Sequence, residues 1–248
     1  MRLLLLDIET APNLAYVWGI WKQNINPEWI AANGYVLCWT AKWYGEDDIY
    51  FHRLRKGKPI SLLNPIHRLL DEADAVIHYN GTSFDIPTLN KEFISHGMNP
   101  PSPYKEIDLL LTMRDRFRFP SNKLDYIAQT LKIGSKIRHA GPQLWLDCMA
   151  DKAEAWKDME AYNRQDVLLL EKLYEKLKPW IKRHPNVAAH DEVKACPTCG
   201  SEKIQRRGSM IASQLKYIRY QCQECSTWFR GVATVTTTKR TERVAQIA

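Results

Sequence analysis

The chain opens with a run of four leucines, Leu3 to Leu6, that leads directly into the acidic pair Asp7 and Glu9. An apolar run of this length predicts a short strand that is buried on both faces. Because residues two apart on a strand point the same way, the two carboxylates project together. At about 4 Å and an effective dielectric constant near 20, they repel each other by about 4 kcal/mol. The pair therefore indicates either a divalent cation held by hard oxygen ligands, such as Mg²⁺ or Mn²⁺, or a strand end whose acids are solvated.

The chain of 248 residues is long enough for one domain of ordinary size and a small accessory domain. No apolar run reaches the roughly 18 residues of a membrane span, and Asp7 and Glu9 interrupt the N-terminal apolar stretch before it could form a secretion signal. Cys38 and Cys148 stand apart from the other cysteines in apolar surroundings, which is typical of reduced core residues. We therefore expect a soluble, cytoplasmic protein.

The excess of basic residues lies in the C-terminal part of the chain. Residues 1–181 contain 23 lysines and arginines against 23 aspartates and glutamates, whereas residues 182–248 contain 12 against 5. A basic accessory segment next to a neutral domain predicts a polyanionic partner, most often nucleic acid. A basic tail that only adds solubility is the alternative.

Hydrophobic periodicity predicts an alternation of strands and helices after the opening strand. The predicted strands cover residues 36–43, 49–52 and 75–79, and the predicted helices cover residues 60–70, 87–96, 124–131 and 154–181. This order is typical of an α/β domain with a mixed sheet. The connection from Ala11 to Tyr35 carries Trp18, Trp21 and Trp29 but has no periodicity that assigns it a structure.

Two further motifs with acidic residues follow the opening pair. Asp85 lies just before Pro87 at the predicted start of a helix, where a carboxylate either has a specific role or serves only as a cap. Tyr162 and Asp166 are four residues apart in a helical pattern, so they share one helix face and can address one point in space. Core packing of Tyr162 and solvation of Asp166 is the alternative for that pair.

Three separated motifs together resemble those of the DEDD, or DnaQ-like, exonuclease superfamily over about residues 1–180. They are the segment Asp7–Thr10, the segment Asn80–Leu89, and Tyr162 with Asp166. The tyrosine-type branch, which includes the proofreading domains of family B DNA polymerases, is the most similar. The histidine-containing branch would carry that residue five positions before the last acid, where this chain has Ala161.

The resemblance implies an RNase H-like α/β fold with a mixed sheet flanked by helices. It also implies hydrolysis of DNA phosphodiester bonds from the 3′ end with two Mg²⁺ or Mn²⁺ ions. In that scheme Asp7, Glu9 and Asp166 hold one ion, Asp7 also contacts the second, Asp85 supports the second, and Tyr162 orients the attacking water. The implied substrate contacts are Thr10, Asn80 and Phe84, of which Phe84 either stacks on a base or fills the core.

Four cysteines near the C-terminus form a CxxC…CxxC pattern with 22 residues between the pairs. They are Cys196, Cys199, Cys222 and Cys225. Four thiolates at this spacing suit one structural Zn²⁺ in a tetrahedral site, and the segment resembles a zinc ribbon. The basic and aromatic residues that predict contacts with phosphates and bases are Arg206, Arg207, Lys216, Tyr217, Arg219, Tyr220, Trp228 and Arg230. Docking of a replication or repair protein is the alternative role of the ribbon.

The predicted organisation is an exonuclease domain at residues 1–181, a linker at 182–194, a zinc ribbon at 195–238 and a disordered basic tail at 239–248. The predicted function is that of a metal-dependent 3′-to-5′ DNA exonuclease whose ribbon aids nucleic-acid binding. One alternative is an RNA exonuclease or structure-specific nuclease that uses the same site. The other is a non-catalytic nucleic-acid-binding or replication scaffold protein, which the presence of all four acids and the tyrosine disfavours.

Overall fold

The computed structural model describes residues 1–55, 57–189, 194–212 and 215–231. The chain divides into two compact units, Met1–Leu177 and Lys178–Ala248. The expected tail, the last part of the expected ribbon and part of the expected linker lie outside the described residues. Among the residues that are described, no helix combines the length and the apolar character needed to cross a membrane.

The first unit is built on a five-stranded mixed sheet. The strands of this unit are β1 (Leu3–Thr10), β2 (Leu14–Ala15), β3 (Ile30–Ala32), β4 (Val36–Trp43), β5 (Ile49–Arg53), β6 (Ala75–His78) and β7 (Lys105–Asp108). The main sheet has the order β5-β4-β1-β6-β7, whereas β2 and β3 pair only with each other. Strand β1 is central, because it pairs antiparallel with β4 and parallel with β6.

Helices flank this sheet, so the predicted mixed α/β architecture is confirmed. They are α1 (Pro59–Glu72), α2 (Asp85–Ser95), α3 (Leu109–Arg116), α4 (Leu124–Thr130), α5 (Gln143–Met149) and α6 (Ala153–Leu177). Helix α2 begins two residues earlier than the periodicity predicts. Helix α6 runs without interruption and is followed by a short 3-10 turn, Lys178–Trp180, so the helical segment ends near the predicted position.

The side chains of β1 alternate between two different environments. Leu4, Leu6 and Ile8 are buried in a core with residues of α1 and α2, such as Ile66 and Phe93. Residues at odd-numbered positions point to the opposite face, because side chains alternate along a strand. On that face a second core joins α5 and α6 to β4; it includes Cys38, Cys148 and Tyr162. The acids that follow the leucines therefore face α6.

The connection between β1 and β4 forms a small hairpin, for which the sequence offered no assignment. Its base is closed by a hydrogen bond of 2.8 Å from the Ala11 N–H to the Tyr35 carbonyl. The Gly34 N–H also donates to the Asn13 side-chain oxygen at 2.6 Å. Trp18 and Trp21 near its tip remain 94% and 81% exposed. The hairpin is thus anchored at the end of β1 and presents apolar side chains to solvent.

The described part of the second unit contains a three-stranded antiparallel sheet of β8 (Ile204–Ala212), β9 (Leu215–Cys222) and β10 (Trp228–Arg230). Strand β9 leads into the second cysteine pair and ends at Cys222. The register between β8 and β9 shifts between Arg206 and Ser209, and Gly208 at this bulge has φ of +79°. Glycine suits this position because it adopts positive φ without a steric penalty.

Candidate active site and cysteine cluster

Three predicted acids lie together on the face of β1 that meets α6. Oxygen atoms of Asp7, Glu9 and Asp166 all lie within 4.8 Å of one another. The first two come from β1 and the third comes from the middle of α6, so the packing of this helix on the sheet assembles the group. The solvated alternative for Asp166 is wrong, since this side chain is almost completely buried.

Asp85, the fourth predicted acid, lies next to this group at the first turn of α2. Its Oδ1 accepts a hydrogen bond of 3.1 Å from the Ile8 N–H, so the carboxylate is tied to β1 between the two N-terminal acids. The residue that caps α2 is Phe84, which makes no side-chain capping bond. Asp85 is therefore not a simple helix cap, and its buried side chain belongs to the acidic centre.

Burial is the main reason why these carboxyl groups hold protons more tightly than usual. It raises the pKa of Glu9 to about 7 and that of Asp85 to about 6. The pKa of Asp7 lies well above its ordinary value because of burial, and repulsion by Asp166, Asp85 and Glu9 adds to this effect. Burial also raises the pKa of Asp166. A bound cation would relieve the repulsion between these carboxylates and favour their charged forms.

The donor set fits a divalent metal ion. Asp166 Oδ1 is buried and has no hydrogen-bond partner among the described residues. A buried carboxylate oxygen without a partner is costly, and coordination to a cation would satisfy it. Oxygen ligands of this kind suit Mg²⁺ or Mn²⁺, so Asp7, Glu9 and Asp166 are the residues that would hold the ion.

Lys136 is a further residue of this site that the sequence did not identify as such. Its ammonium group donates to the Tyr162 hydroxyl at 3.0 Å and also pairs with Asp166 Oδ2. Burial is the largest single influence and lowers the pKa of Lys136, but the interactions with Asp166 and Tyr162 together outweigh burial and raise the pKa. In the sequence, Lys136 follows the segment Leu124–Leu131, which resembles the segment between the second and third motifs of the exonuclease family, but that resemblance assigned Lys136 no role.

Tyr162 and Asp166 point to the same centre, as their four-residue spacing predicts. The Tyr162 ring is buried and lies 4.9 Å from the His139 ring and 6.0 Å from the Trp145 ring, measured between centroids. Burial raises the pKa of the Tyr162 hydroxyl, and the charge of Asp166 raises it further. The phenol thus stays protonated and can donate a hydrogen bond near the carboxylates.

Two other side chains hold the acids in place, and the sequence analysis missed both. Trp145 donates its indole N–H to Glu9 Oε2 at 3.0 Å. Asn163 donates its side-chain amide to Asp7 Oδ2 at 2.6 Å. Asn163 lies within the Tyr162 motif, whereas nothing in the local pattern around Trp145 pointed to the site. These bonds fix the orientation of two of the three candidate metal ligands.

Two of the three predicted substrate contacts border the acidic centre. Thr10 and Phe84 line a groove of about 820 Å³ between the base of the hairpin and α2, and Lys91 also lines it. The interpretation of Phe84 as core is wrong, because its side chain is 43% exposed. Asn80 does not line this groove; its N–H donates to Asp108 Oδ1 at 3.0 Å in the turn after β6.

A second, more apolar groove of about 510 Å³ lies on the other side of Thr10. Its lining includes His139, Pro142 and Trp145. The tryptophan that orients Glu9 therefore also forms part of a wall next to the candidate metal ligands. The sequence predicts Thr10 of this groove as a site residue, but it does not predict His139, Pro142 or Trp145.

The four predicted cysteines form a second cluster, within the second unit. Their sulfur atoms all lie within 4.8 Å of one another, and the Cys196–Cys225 and Cys199–Cys222 pairs are each 3.6 Å apart. A disulfide would require about 2.05 Å, whereas sulfurs bound to tetrahedral Zn²⁺ at about 2.3 Å lie about 3.8 Å apart. The sulfur geometry therefore fits a zinc site, and the cluster is consistent with a zinc ribbon.

Cys38 and Cys148 remain outside this cluster. Both are buried and free, as predicted for reduced core residues. Burial raises the pKa of Cys148 to about 11. These thiols are packing residues of the first unit.

Comparison with protein families gives a match of residues 40–178, more than half of the chain, to the family described as the RNase H superfamily. The chain belongs to the RNase H superfamily. This membership confirms the predicted fold class, and an RNase H-like nuclease fold implies binding of nucleic acid.

Among solved structures, the RNase H superfamily chain is similar to the family B DNA polymerase from the hyperthermophilic archaeon Pyrobaculum calidifontis. The TM-score is 0.55 at 16% sequence identity, and the match covers 72% of this chain and 24% of the polymerase chain. At this identity the likeness concerns the fold, which is consistent with the DEDD exonuclease resemblance. No curated protein sequence matches the chain significantly.

Proposed function

We propose that this protein is a metal-dependent 3′-to-5′ exonuclease that hydrolyses phosphodiester bonds of DNA. The observation that carries the proposal is the convergence of Asp7, Glu9 and Asp166 on one buried point, where Asp166 Oδ1 has no hydrogen-bond partner among the described residues. A nuclease fold with buried, partly unsatisfied carboxylates next to a groove is the arrangement that divalent-metal hydrolysis requires.

In the proposed site, Asp7, Glu9 and Asp166 would hold one Mg²⁺ or Mn²⁺ ion. Asp7 would also help to hold a second ion, with Asp85 in support. Paired ions of this kind supply an activated nucleophile and stabilise the charge on the attacking and leaving oxygens. In the reaction, a water oxygen bonds to phosphorus and the bond from phosphorus to the 3′ oxygen breaks, which releases one nucleoside 5′-monophosphate.

The other residues of the site orient these groups. Tyr162 positions the attacking water through its hydroxyl, which Lys136 holds at 3.0 Å. Trp145 donates a hydrogen bond to one oxygen of Glu9, and Asn163 donates one to one oxygen of Asp7. The other oxygen of each carboxylate is left to bind an ion. Positioning before the reaction lowers the entropic part of the barrier.

The grooves on either side of Thr10 would accept the end of the strand. Phe84 is exposed beside the first groove and offers its ring to the terminal base. In the second unit, the cysteine cluster would hold one structural Zn²⁺, and the ribbon would add affinity for nucleic acid. A replication or repair protein as an additional ribbon partner is the alternative.

The test uses single- and double-stranded DNA and RNA labelled at the 3′ or 5′ end, incubated with Mg²⁺, with Mn²⁺ or without a divalent ion. We expect DNA to shorten stepwise from its 3′ end only when a divalent ion is present. The double variant Asp7→Asn, Asp166→Asn should lose this activity, whereas Asp158→Asn, an exposed carboxylate of the same helix, should retain it.

Undiminished shortening by the double variant would disprove the site assignment. Faster degradation of RNA than of DNA would favour the RNA exonuclease instead, since only contacts to one hydroxyl separate the two substrates. Intact binding without cleavage under every metal condition would favour a scaffold protein.

A further inference from the structure

The three-stranded sheet of the second unit has two faces of different character. Side chains directly opposite each other in an antiparallel pair lie on the same face. Trp228 is opposite Gln221, Arg230 is opposite Arg219, and Met210 is opposite Tyr217. Because residues two apart on a strand share a face, these six side chains lie together. We name this surface the arginine–aromatic face.

The opposite face is packed around Tyr220 and Phe229, whereas Ile211 and Lys216 farther along it are exposed. There the rings of Tyr220 and Phe229 stack with centroids 5.7 Å apart, and Tyr220 is buried. Cys222, which alternates with Gln221, belongs to the cysteine cluster. The prediction that Tyr220 contributes to the nucleic-acid surface is therefore wrong, because the register of β9 directs it to the packed side.

On the arginine–aromatic face, guanidinium groups lie over aromatic rings. The Arg219 guanidinium carbon lies 4.9 Å from the Trp228 ring centroid, and that of Arg230 lies 4.3 Å from the Tyr217 ring centroid. Trp228 is nevertheless 50% exposed, so one side of its ring remains open to a ligand. These contacts hold both the cations and the rings in defined places at the surface.

The charge of this face is not neutralised by carboxylates. In the described part of this sheet and its turns, Lys203 and Glu224 form an ion pair at 2.6 Å. Neither residue belongs to the arginine–aromatic face. Arg219 and Arg230 have no ion pair with any described acidic residue. A groove of about 450 Å³ runs between them and is lined by Met210 and Trp228 as well. Arg219 also donates from Nε to the Arg207 carbonyl at 3.1 Å, so the groove combines two positive charges that no described carboxylate neutralises with one exposed aromatic ring.

We infer that the arginine–aromatic face binds single-stranded nucleic acid, with one base stacked on Trp228 and the neighbouring phosphates held by Arg219 and Arg230. An acidic protein segment would satisfy the arginines but would leave the ring unused. A duplex would present phosphates but keep its bases stacked on each other. This inference rests on the proposed function, since it names the surface by which the ribbon meets the substrate.

Stacking of a base on Trp228 is tested by fluorescence anisotropy of labelled oligo-dT and oligo-rU with the zinc-loaded full chain. The chain carries Asp7→Asn and Asp166→Asn, so that the oligonucleotides stay intact during the measurement. Trp228→Ala should weaken single-strand binding about tenfold, within the range for loss of one base stack. Trp228→Phe retains a ring and should bind within about threefold of the parent, on the same scale. Either oligonucleotide suffices, since both DNA and RNA bases present a stacking face.

The phosphate part is tested by the salt dependence of the same affinity. Arg230→Gln should reduce the slope of log K against log salt by about 0.7, the value for one phosphate contact on a single strand. Lys203→Gln removes the same charge from the same unit but lies outside the arginine–aromatic face. It should leave the slope unchanged, which separates a local contact from an effect of net charge.

Zinc content of one ion per chain and an unchanged circular dichroism spectrum show that each variant is folded. Unchanged affinity in folded Trp228→Ala, or equal changes of slope in Arg230→Gln and Lys203→Gln, would overturn the inference. An equal loss of affinity for a blunt duplex would also overturn it, because stacking needs an unpaired base. Cleavage by the unmodified protein is measured separately, so failure of the exonuclease proposal is distinguishable from failure of this one.

Discussion

The acid cluster and the cysteine cluster are both candidate metal sites, yet they relate to the fold in opposite ways. The acids come from β1 at the start of the chain and from α6 near the end of the first unit, and the apolar packing of α6 against the sheet brings them together. The cysteines come from two short turns beside a small exposed sheet. In the first site the fold brings together buried carboxylates, whose mutual repulsion a bound metal ion would relieve. In the second a metal would hold a fold that has little core of its own.

The comparison predicts that metal removal has its largest effect in the second unit. Stripping zinc, or the substitution Cys222→Ser, should unfold this unit, because metal binding supplies on the order of 10–16 kcal/mol in small zinc domains. Limited proteolysis and zinc analysis measure the effect, and the first unit should remain resistant. Cys148→Ala, a buried cysteine outside the cluster, should keep its zinc. Protease resistance of the second unit without zinc would show that its fold does not depend on the metal.

Removal of an acid from the first site should stabilise the first unit, whereas removal of zinc should unfold the second. Asp7→Asn should lower kcat at least about 1,000-fold, since the ions it holds contribute several kcal/mol to the transition state. The same variant should raise the melting temperature of the first unit without magnesium, because the pKa of Asp7 shows that its buried charge is unfavourable. Asp158→Asn serves as the control for both measurements. A lower melting temperature in Asp7→Asn would contradict the interpretation.

The acid cluster should also make stability depend on pH. The pKa of Glu9 rises from 4.5 to about 7 on folding, so the folded state binds the proton more tightly than the unfolded chain. The resulting stabilisation is complete below pH 4.5 and is lost as the pH rises through about 7. Its full magnitude is about 3 kcal/mol.

Urea unfolding of the first unit in zinc-loaded, magnesium-free protein checks this dependence. The difference between the parent and Glu9→Gln isolates the contribution of this carboxyl group from those of other acids. Added Mg²⁺ should stabilise the parent increasingly from pH 4.5 to about 7. A constant difference across this range would show that the carboxyl does not titrate as proposed.

The smallest expected effect concerns the orientation of Glu9. Trp145→Phe keeps an aromatic ring in the wall of the second groove but removes the N–H that donates to Glu9 Oε2. We expect magnesium affinity to fall about tenfold, as for loss of a hydrogen bond that orients a metal ligand. Activity titrated against Mg²⁺ should shift its midpoint while the maximal rate at saturating metal changes little. An unshifted midpoint would assign Trp145 to packing alone.

How far the sequence predicted each site depends on how widely the residues of that site are separated in the chain. The spacing of the four cysteines was enough to propose them as ligands, because all four lie close together in the chain. The acids were proposed from three separated motifs, and α6 does bring Asp166 to Asp7 and Glu9. Their catalytic roles remain predictions, as do those of Asp85 and Tyr162.

Other features depended on contacts between distant segments. Lys136, Trp145 and Asn163 carry no local pattern that marks them as partners of carboxylates, and only the packing of their elements places them there. For Phe84 the sequence left stacking on a base and filling the core as alternatives, and the start of α2 leaves it at the rim of a groove. Register also decided that Trp228 is open while Tyr220 is packed.

Features that involve only neighbouring positions in the chain could therefore be predicted from the sequence. They are a buried central strand that ends in two acids, an α/β alternation, and four thiols spaced for one zinc ion. These follow from periodicity and residue chemistry, which act over a few neighbouring positions. The tertiary structure alone decided which oxygen lacks a partner, which lysine approaches the acids, and which face of the ribbon is exposed. Those properties depend on which elements pack together, because burial and electrostatic interactions are set by neighbours in space.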